Sequence, residues 1–166
     1  MEIKNGKLKM YDISEKYKTY LRKFDNKVSE KDSRKFYGIL ITKNNMDYYI
    51  PFTSKIDKKT SPKLTVNIKD TKNRIIAKSL LNNMIPVNEK QAYIVDINNS
   101  KYKDYFNKEI AYLRKKKVID ELLKKVDNIF QVLENKENPD YLFFKQICCD
   151  FKLLEKKCLK YNECFS

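Results

Sequence analysis

The chain reads as α+β, with one helix first, a compact twisted antiparallel sheet in the middle, and helices to the end. Three observations carry this reading. Apolar residues recur at helical spacing from Ile13 to Val28, and the apolar stretches between Phe36 and Val95 are short and bounded by turn residues. From Lys101 onward the helical period returns. A length of 166 residues is enough for one core, and no linker divides it, so residues 1–166 are read as a single domain.

In chain order, Asp12 and Glu15 are spaced as a capping box, and Ile13, Tyr17, Tyr20, Leu21, Phe24 and Val28 lie on one face. This predicts a first helix from Ser14 to Asp25. Lys27 to Lys35 is a polar connection, after which Phe36 to Thr42 reads as a buried strand. Asn44 and Asn45 suit the left-handed backbone of a tight hairpin, and Asp47 to Ile50 is the returning strand, ended by Pro51. Alternation should send Tyr48 and Tyr49 to opposite faces, one inward and one outward. Phe52 to Pro62 is an irregular, basic, hydroxyl-rich loop, the kind of segment on which a rigid scaffold places reactive groups.

Leu64 to Ile68, Arg74 to Ala77, Met84 to Val87 and Tyr93 to Val95 complete the sheet as short strands, with a turn at Asp70 to Asn73. The pattern Ile110, Leu113, Ile119, Leu122, Val126, Ile129, Phe130 and Leu133 fits one long helix, or two broken near Arg114 to Lys117. Asn138 and Pro139 interrupt it. A last amphipathic helix is predicted from Tyr141 to Tyr161.

Thirty-six Lys and Arg against 22 Asp and Glu leave a formal charge of +14, and the natural partner of such a field is a polyanion, nucleic acid first. Several classes are excluded. With no histidine the chain cannot run a paired-imidazole ribonuclease scheme, and two glycines, Gly6 and Gly38, are too few for a phosphate-cradling loop. Cys148, Cys149, Cys158 and Cys164 lack the spacing of a zinc knuckle, and Cys148 and Cys158 continue an apolar stripe, so buried free thiols are expected and no metal site. No apolar run is long enough to span a membrane and none resembles a secretory leader, which predicts a soluble, cytoplasmic protein.

The segment MYDISEKYKTYLRKFDNKV, the strand FYGILI, the hairpin closing on YYIPFTSK, the LLNNMIPV segment and the helix QICCDFKLLEKKC occur in an order that resembles the ribonuclease toxins of type III toxin-antitoxin systems, the ToxN/AbiQ family. The resemblance runs from about Met10 to Tyr161. It implies an SH3-like sheet similar to that of the Kid and MazF toxins. It also implies sequence-specific cutting of single-stranded RNA, mRNA included, without a metal or other cofactor, leaving a 2′,3′-cyclic phosphate and a 5′-hydroxyl. The implied antitoxin is a small RNA cut by the toxin from tandem repeats, folded as a pseudoknot and held in a closed toxin-RNA assembly that serves phage defence by abortive infection.

Such a reaction must deprotonate a ribose 2′-hydroxyl, stabilise charge on the phosphate and protonate the leaving 5′-oxygen. Thr53 and Ser54 match the threonine and serine of the family's active-site loop and could donate to phosphate oxygens, with Lys55 supplying positive charge. The order differs from relatives in which a proline comes after the serine, so which lysine reaches the phosphate stays open. Thr53 and Ser54 could instead satisfy backbone groups at the strand end.

For RNA binding, Lys58 and Lys59 add charge to the loop, and Lys27, Lys31, Arg34 and Lys35 form a basic run before the first long strand. Tyr17 resembles an RNA-contacting tyrosine of the family, but equally fits a core aromatic. Asn82 and Asn83 could read base edges or build a turn. Arg114, Lys115 and Lys116 are expected to track antitoxin phosphates. The competing reading is a non-catalytic RNA- or DNA-binding regulator, which needs the charge and tyrosines and asks nothing of Ser54.

Overall fold

The computed structural model describes residues 1–29, 37–57 and 59–164, with side chains described as far as Tyr161. Among these residues eight strands form one antiparallel sheet: β1 (Glu2–Ile3), β2 (Tyr11–Ile13), β3 (Gly38–Lys43), β4 (Met46–Thr53), β5 (Asn67–Lys69), β6 (Ile75–Ser79), β7 (Ile85–Val87) and β8 (Ala92–Ile94). The order is β5-β6-β4-β3-β2-β8, with β1 also on β3 and β7 also on β4. The helices are α1 (Glu15–Arg22), α2 (Lys103–Leu113), α3 (Lys116–Glu134), α4 (Tyr141–Ile147) and α5 (Phe151–Cys164). This is the α+β arrangement expected, with a helix early in the chain and helices at its end.

β4 organises the sheet. Its residues from Met46 to Pro51 pair with β3, Asp47 to Tyr49 pair with β7, and Phe52 and Thr53 pair with β6. The hairpin that launches it turns on Asn44 and Asn45, both at positive φ (50° and 61°), a conformation asparagine tolerates. Pro51 does not end the strand. Proline lacks only the N–H, and its carbonyl still accepts from the Leu80 N–H at 2.9 Å.

Gly38 permits a close approach to its partner strand. A Cβ there would lie 2.0 Å from the Ile50 carbonyl oxygen and 2.7 Å from the Tyr49 ring. Tyr48 and Tyr49 do alternate, yet both are buried, because each face of β4 is covered. Tyr48 meets Phe130 of α3 edge-on at 5.3 Å and hydrogen-bonds Glu155 of α5. Tyr49 packs toward Gly38 and a small cavity shared by Lys18, Val28 and Pro51. Neither ring is the outward one that alternation alone predicts.

The first helix is shorter than predicted and is capped by Ser14, whose hydroxyl accepts from the Tyr17 N–H at 3.4 Å; Asp12 instead accepts from the Ile13 N–H at 2.8 Å. Beyond Arg22 the chain turns back, and the Arg22 guanidinium donates to the carbonyls of Val28 and Ser29 at 3.2 and 3.0 Å. Of the two alternatives for the later helical stretch, the broken one holds, with the break at Arg114 and Lys115. The last helix, expected to be continuous, breaks at Cys148, whose backbone is extended (φ −80°, ψ 150°).

That break is a tertiary effect. The Lys27 ammonium donates to the Cys148 carbonyl at 2.7 Å, the Asn82 side chain donates to the Ile147 carbonyl at 3.4 Å, and the Cys149 N–H donates to the Asn82 carbonyl at 2.9 Å. The Asp150 N–H is taken by Asp25 at 2.6 Å. Backbone groups that a continuous helix would pair internally are here satisfied from outside it, which removes the penalty for breaking. Cys148, Cys149 and Cys158 are buried free thiols.

Candidate functional site

The loop after β4 is presented by a strand end held from both sides. Phe52 and Thr53 sit opposite Ser79 and Lys78 of β6. Ser79 is fully buried: its hydroxyl accepts from the Val66 N–H at 2.8 Å and its carbonyl accepts from the Thr65 hydroxyl at 2.6 Å. From α3 the Lys125 ammonium donates to the Thr65 carbonyl at 2.9 Å. With its backbone and neighbours so constrained, the end of β4 is a rigid platform for the loop it carries.

Thr53 is buried at 4% exposure, and its hydroxyl accepts from the Lys55 N–H at 3.2 Å. It therefore satisfies a backbone group and closes the turn, as the simpler of its two readings expects, while its hydroxyl hydrogen remains able to donate. Ser54 and Lys55 are exposed, as is Lys59. Lys58 lies outside the described residues. Lys78, the cross-strand neighbour of Thr53, approaches the same strand end from the sheet.

Lys78 is not among the residues that the sequence singles out. Its only local signal is a lysine adjoining the apolar stretch Ile75 to Ala77, and its importance depends on a register no local pattern specifies. Hydroxyls at a rigid turn with ammonium groups arriving along the chain and across the sheet suit an anionic phosphate whose charge grows in a transition state.

Other predicted contacts are placed elsewhere. Tyr17 is fully buried; its hydroxyl donates to the Pro86 carbonyl at 2.7 Å and its ring meets Tyr161 edge-on at 5.0 Å. Desolvation, the largest cause, drives its phenol well above the usual range. This is the core aromatic of the two readings, and no face of it is available for stacking. Lys27 and Asn82 hold the joint between α4 and α5, and the Asn83 side chain donates to the Lys27 carbonyl at 2.8 Å, so these three act on the protein's own backbone. A 3-10 turn at Leu81–Asn83 carries both asparagines. Arg114, Lys115 and Lys116 are exposed at the junction of α2 and α3. Lys31, Arg34 and Lys35 lie outside the described residues. Among the described residues no cluster of three or more acidic or cysteine side chains is placed to hold a metal ion.

Residues 9–159 match the family model described as toxin ToxN of type III toxin-antitoxin systems. The chain belongs to the ToxN family. Within it, this chain is 36% identical to endoribonuclease ToxN of Bacillus thuringiensis subsp. kurstaki, covering 93% of this chain and 84% of that protein. It is 28% identical to endoribonuclease AbiQ of Lactococcus lactis subsp. lactis, over 98% of this chain and 93% of the relative.

Solved ToxN-family structures share the fold. A toxin reported as selectively inhibited by a non-coding RNA pseudoknot superposes with a TM-score of 0.83 at 34% identity, covering 94% of this chain and 98% of that one. The AbiQ structure, at 24% identity, superposes with a TM-score of 0.81 over 95% and 99% of the two chains, a likeness of fold.

Proposed function

We propose that this ToxN-family chain is a sequence-specific endoribonuclease toxin that cuts single-stranded RNA without a metal ion. Its products are a 2′,3′-cyclic phosphate and a 5′-hydroxyl. Thr53, Ser54 and Lys55 form the working loop, to which Lys78 is added. The observation that carries this is the exposed Ser54, next in the chain to Lys55 and to Thr53, which is paired with Lys78, on a strand end locked by Ser79 and Thr65, in a chain 36% identical to a named endoribonuclease.

The Ser54 hydroxyl donates to a non-bridging phosphate oxygen, and Lys55 and Lys78 offset the charge gained as the 2′-oxygen attacks. Because the turn is already built, these donors are preorganised and need no reorientation in the transition state. The sheet is read as the SH3-like, Kid-like barrel. The toxin acts in the cytoplasm, is held in check by a small repeat-derived RNA, a pseudoknot as in the solved relative, in a closed toxin-RNA assembly, and serves phage defence.

Ser54→Ala tests the site. Cutting of RNA should fall about a hundredfold and growth arrest should be lost, while wild-type cutting persists in excess EDTA and leaves cyclic phosphate ends. Equal cutting by the alanine variant removes Ser54 from the chemistry. A wild type that binds RNA and cuts none of it returns the protein to the regulator class.

A further inference from the structure

Among the described residues, two of the concavities away from the working loop carry several lysines. The cleft beside the β3-β4 hairpin, about 260 Å³, sets Lys43, Lys145 and Lys152 against Glu134, Asp150 and Glu155, a balance with nothing to offer a polyanion. The open groove between α2 and the β5-β6 turn, about 410 Å³, is different. Lys69, Lys108 and Lys115 line it, with Thr71 and Asn107 as polar groups.

Of its two carboxylates, Asp70 is already tied by the Arg74 guanidinium, at 2.9 and 2.7 Å, which leaves Asp104 as the one acid of the groove not engaged by a cation among the described residues. Among those residues no carboxylate pairs with Lys69, Lys108 or Lys115. Half-buried Tyr112 forms part of the wall, and the Lys115 ammonium sits 4.7 Å from the centre of its ring. Lys115 sits on a flexible stem, so a base entering the groove would take its place on that face and leave the ammonium for a phosphate.

The groove is continuous with the working loop through the sheet. Thr53 is opposite Lys78, and Lys78 is opposite Asn67, so all three share one face of the sheet. The β5–β6 register shifts between Ile68 and Lys69, but by alternation within β5 itself Lys69 returns to the side of Asn67. An extended strand of RNA laid across this face would meet Tyr112 and the three lysines at one end and Ser54 at the other.

We infer that the groove is the track for single-stranded RNA flanking the cut, with a base stacked on Tyr112 and phosphates held by Lys69, Lys108 and Lys115. This deepens the nuclease reading and rests on it for the position of the cut, though not for the binding itself. The track reads shape and charge, leaving sequence choice to the working loop.

The test measures binding of a 5′-fluorescein-labelled 12-nucleotide oligoadenylate RNA by anisotropy, across a range of salt, in the full-length Ser54→Ala protein. Replacing Lys69, Lys108 and Lys115 together by alanine should weaken binding at least tenfold at low salt. It should also lower the slope of log affinity against log salt by about 2, as expected for three phosphate contacts to a single strand. Tyr112→Ala should cost five- to hundredfold and Tyr112→Phe less than twofold. A control triple at Lys16, Lys136 and Lys160, exposed and away from the groove, removes the same charge.

Unchanged affinity and slope in the groove triple overturn the inference, and so does an equal loss in the control triple. Should Tyr112→Ala prove unfolded by circular dichroism, the lysine triple against its control decides the matter. Cutting is assayed separately with otherwise wild-type protein. Loss of oligoadenylate binding in the groove triple supports the track even where no cutting is seen, so failure of the nuclease reading is told apart from failure of the track.

Discussion

Glu109 of α2 is 2% exposed, and burial pushes its carboxyl up from 4.5 to about 8. Burial is the cause; the hydrogen bond with Tyr105, whose hydroxyl also donates to the Ile76 carbonyl at 2.6 Å, acts in the opposite direction and is outweighed. An acid whose folded value is raised contributes its full stability below the unfolded value and loses it as pH rises, because the unfolded chain ionises first. The loss therefore develops between pH 4.5 and about 8 and levels off above that.

A rise of that size amounts to about 4 to 5 kcal/mol by pH 8. Asp70, held below its ordinary 3.8 by hydrogen bonds from Arg74, acts in the opposite sense, and its window lies below that of Glu109. Glu109→Gln keeps a hydrogen-bonding partner for Tyr105 and removes the ionisation. Urea unfolding at pH 4.5, 6 and 8 should show the wild type losing several kcal/mol relative to the variant, with the thermal midpoint of the variant about 10 °C higher at pH 8. Parallel pH profiles for the two proteins would refute the argument.

Three further outcomes are expected from the packing. Gly38→Ala places a methyl 2.0 Å from the Ile50 carbonyl oxygen and should cost about 3 kcal/mol or more in urea unfolding, since the β3-β4 pairing must open to admit it. Asn83→Ala strips a donor from the Lys27 carbonyl and should cost about 1 to 2 kcal/mol, measured the same way, while leaving oligoadenylate affinity within twofold. Burial, its largest cause, holds the Cys148 thiol up at about 12 and raises those of Cys149 and Cys158, so maleimide should modify all three only after denaturation, as read by peptide mass spectrometry.

The sequence by itself determined whatever depends on local pattern and composition. The period of the apolar residues announces helices at both ends and short strands between them, and Asn44 and Asn45 announce the hairpin because positive φ is a local property of the residue. Net charge and the lack of histidine narrow the chemistry through residue type alone. The order of the segments points to a family, and the family match over residues 9–159 agrees with it.

Tertiary structure decided what depends on partners distant in the chain. Tyr17 lies on the apolar face of its helix in either reading, and only the Pro86 carbonyl and the Tyr161 ring make it a core residue. Asn82 reads in the sequence as a base-edge contact or a turn residue, and Lys27 as part of a basic run; in the fold they satisfy carbonyls at the helix break around Cys148. Lys78 joins the strand end of the site through a cross-strand register, and the Tyr112 groove arises from the packing of α2 on β5. A side chain's type is written locally, but what it touches is set by pairings across the whole fold.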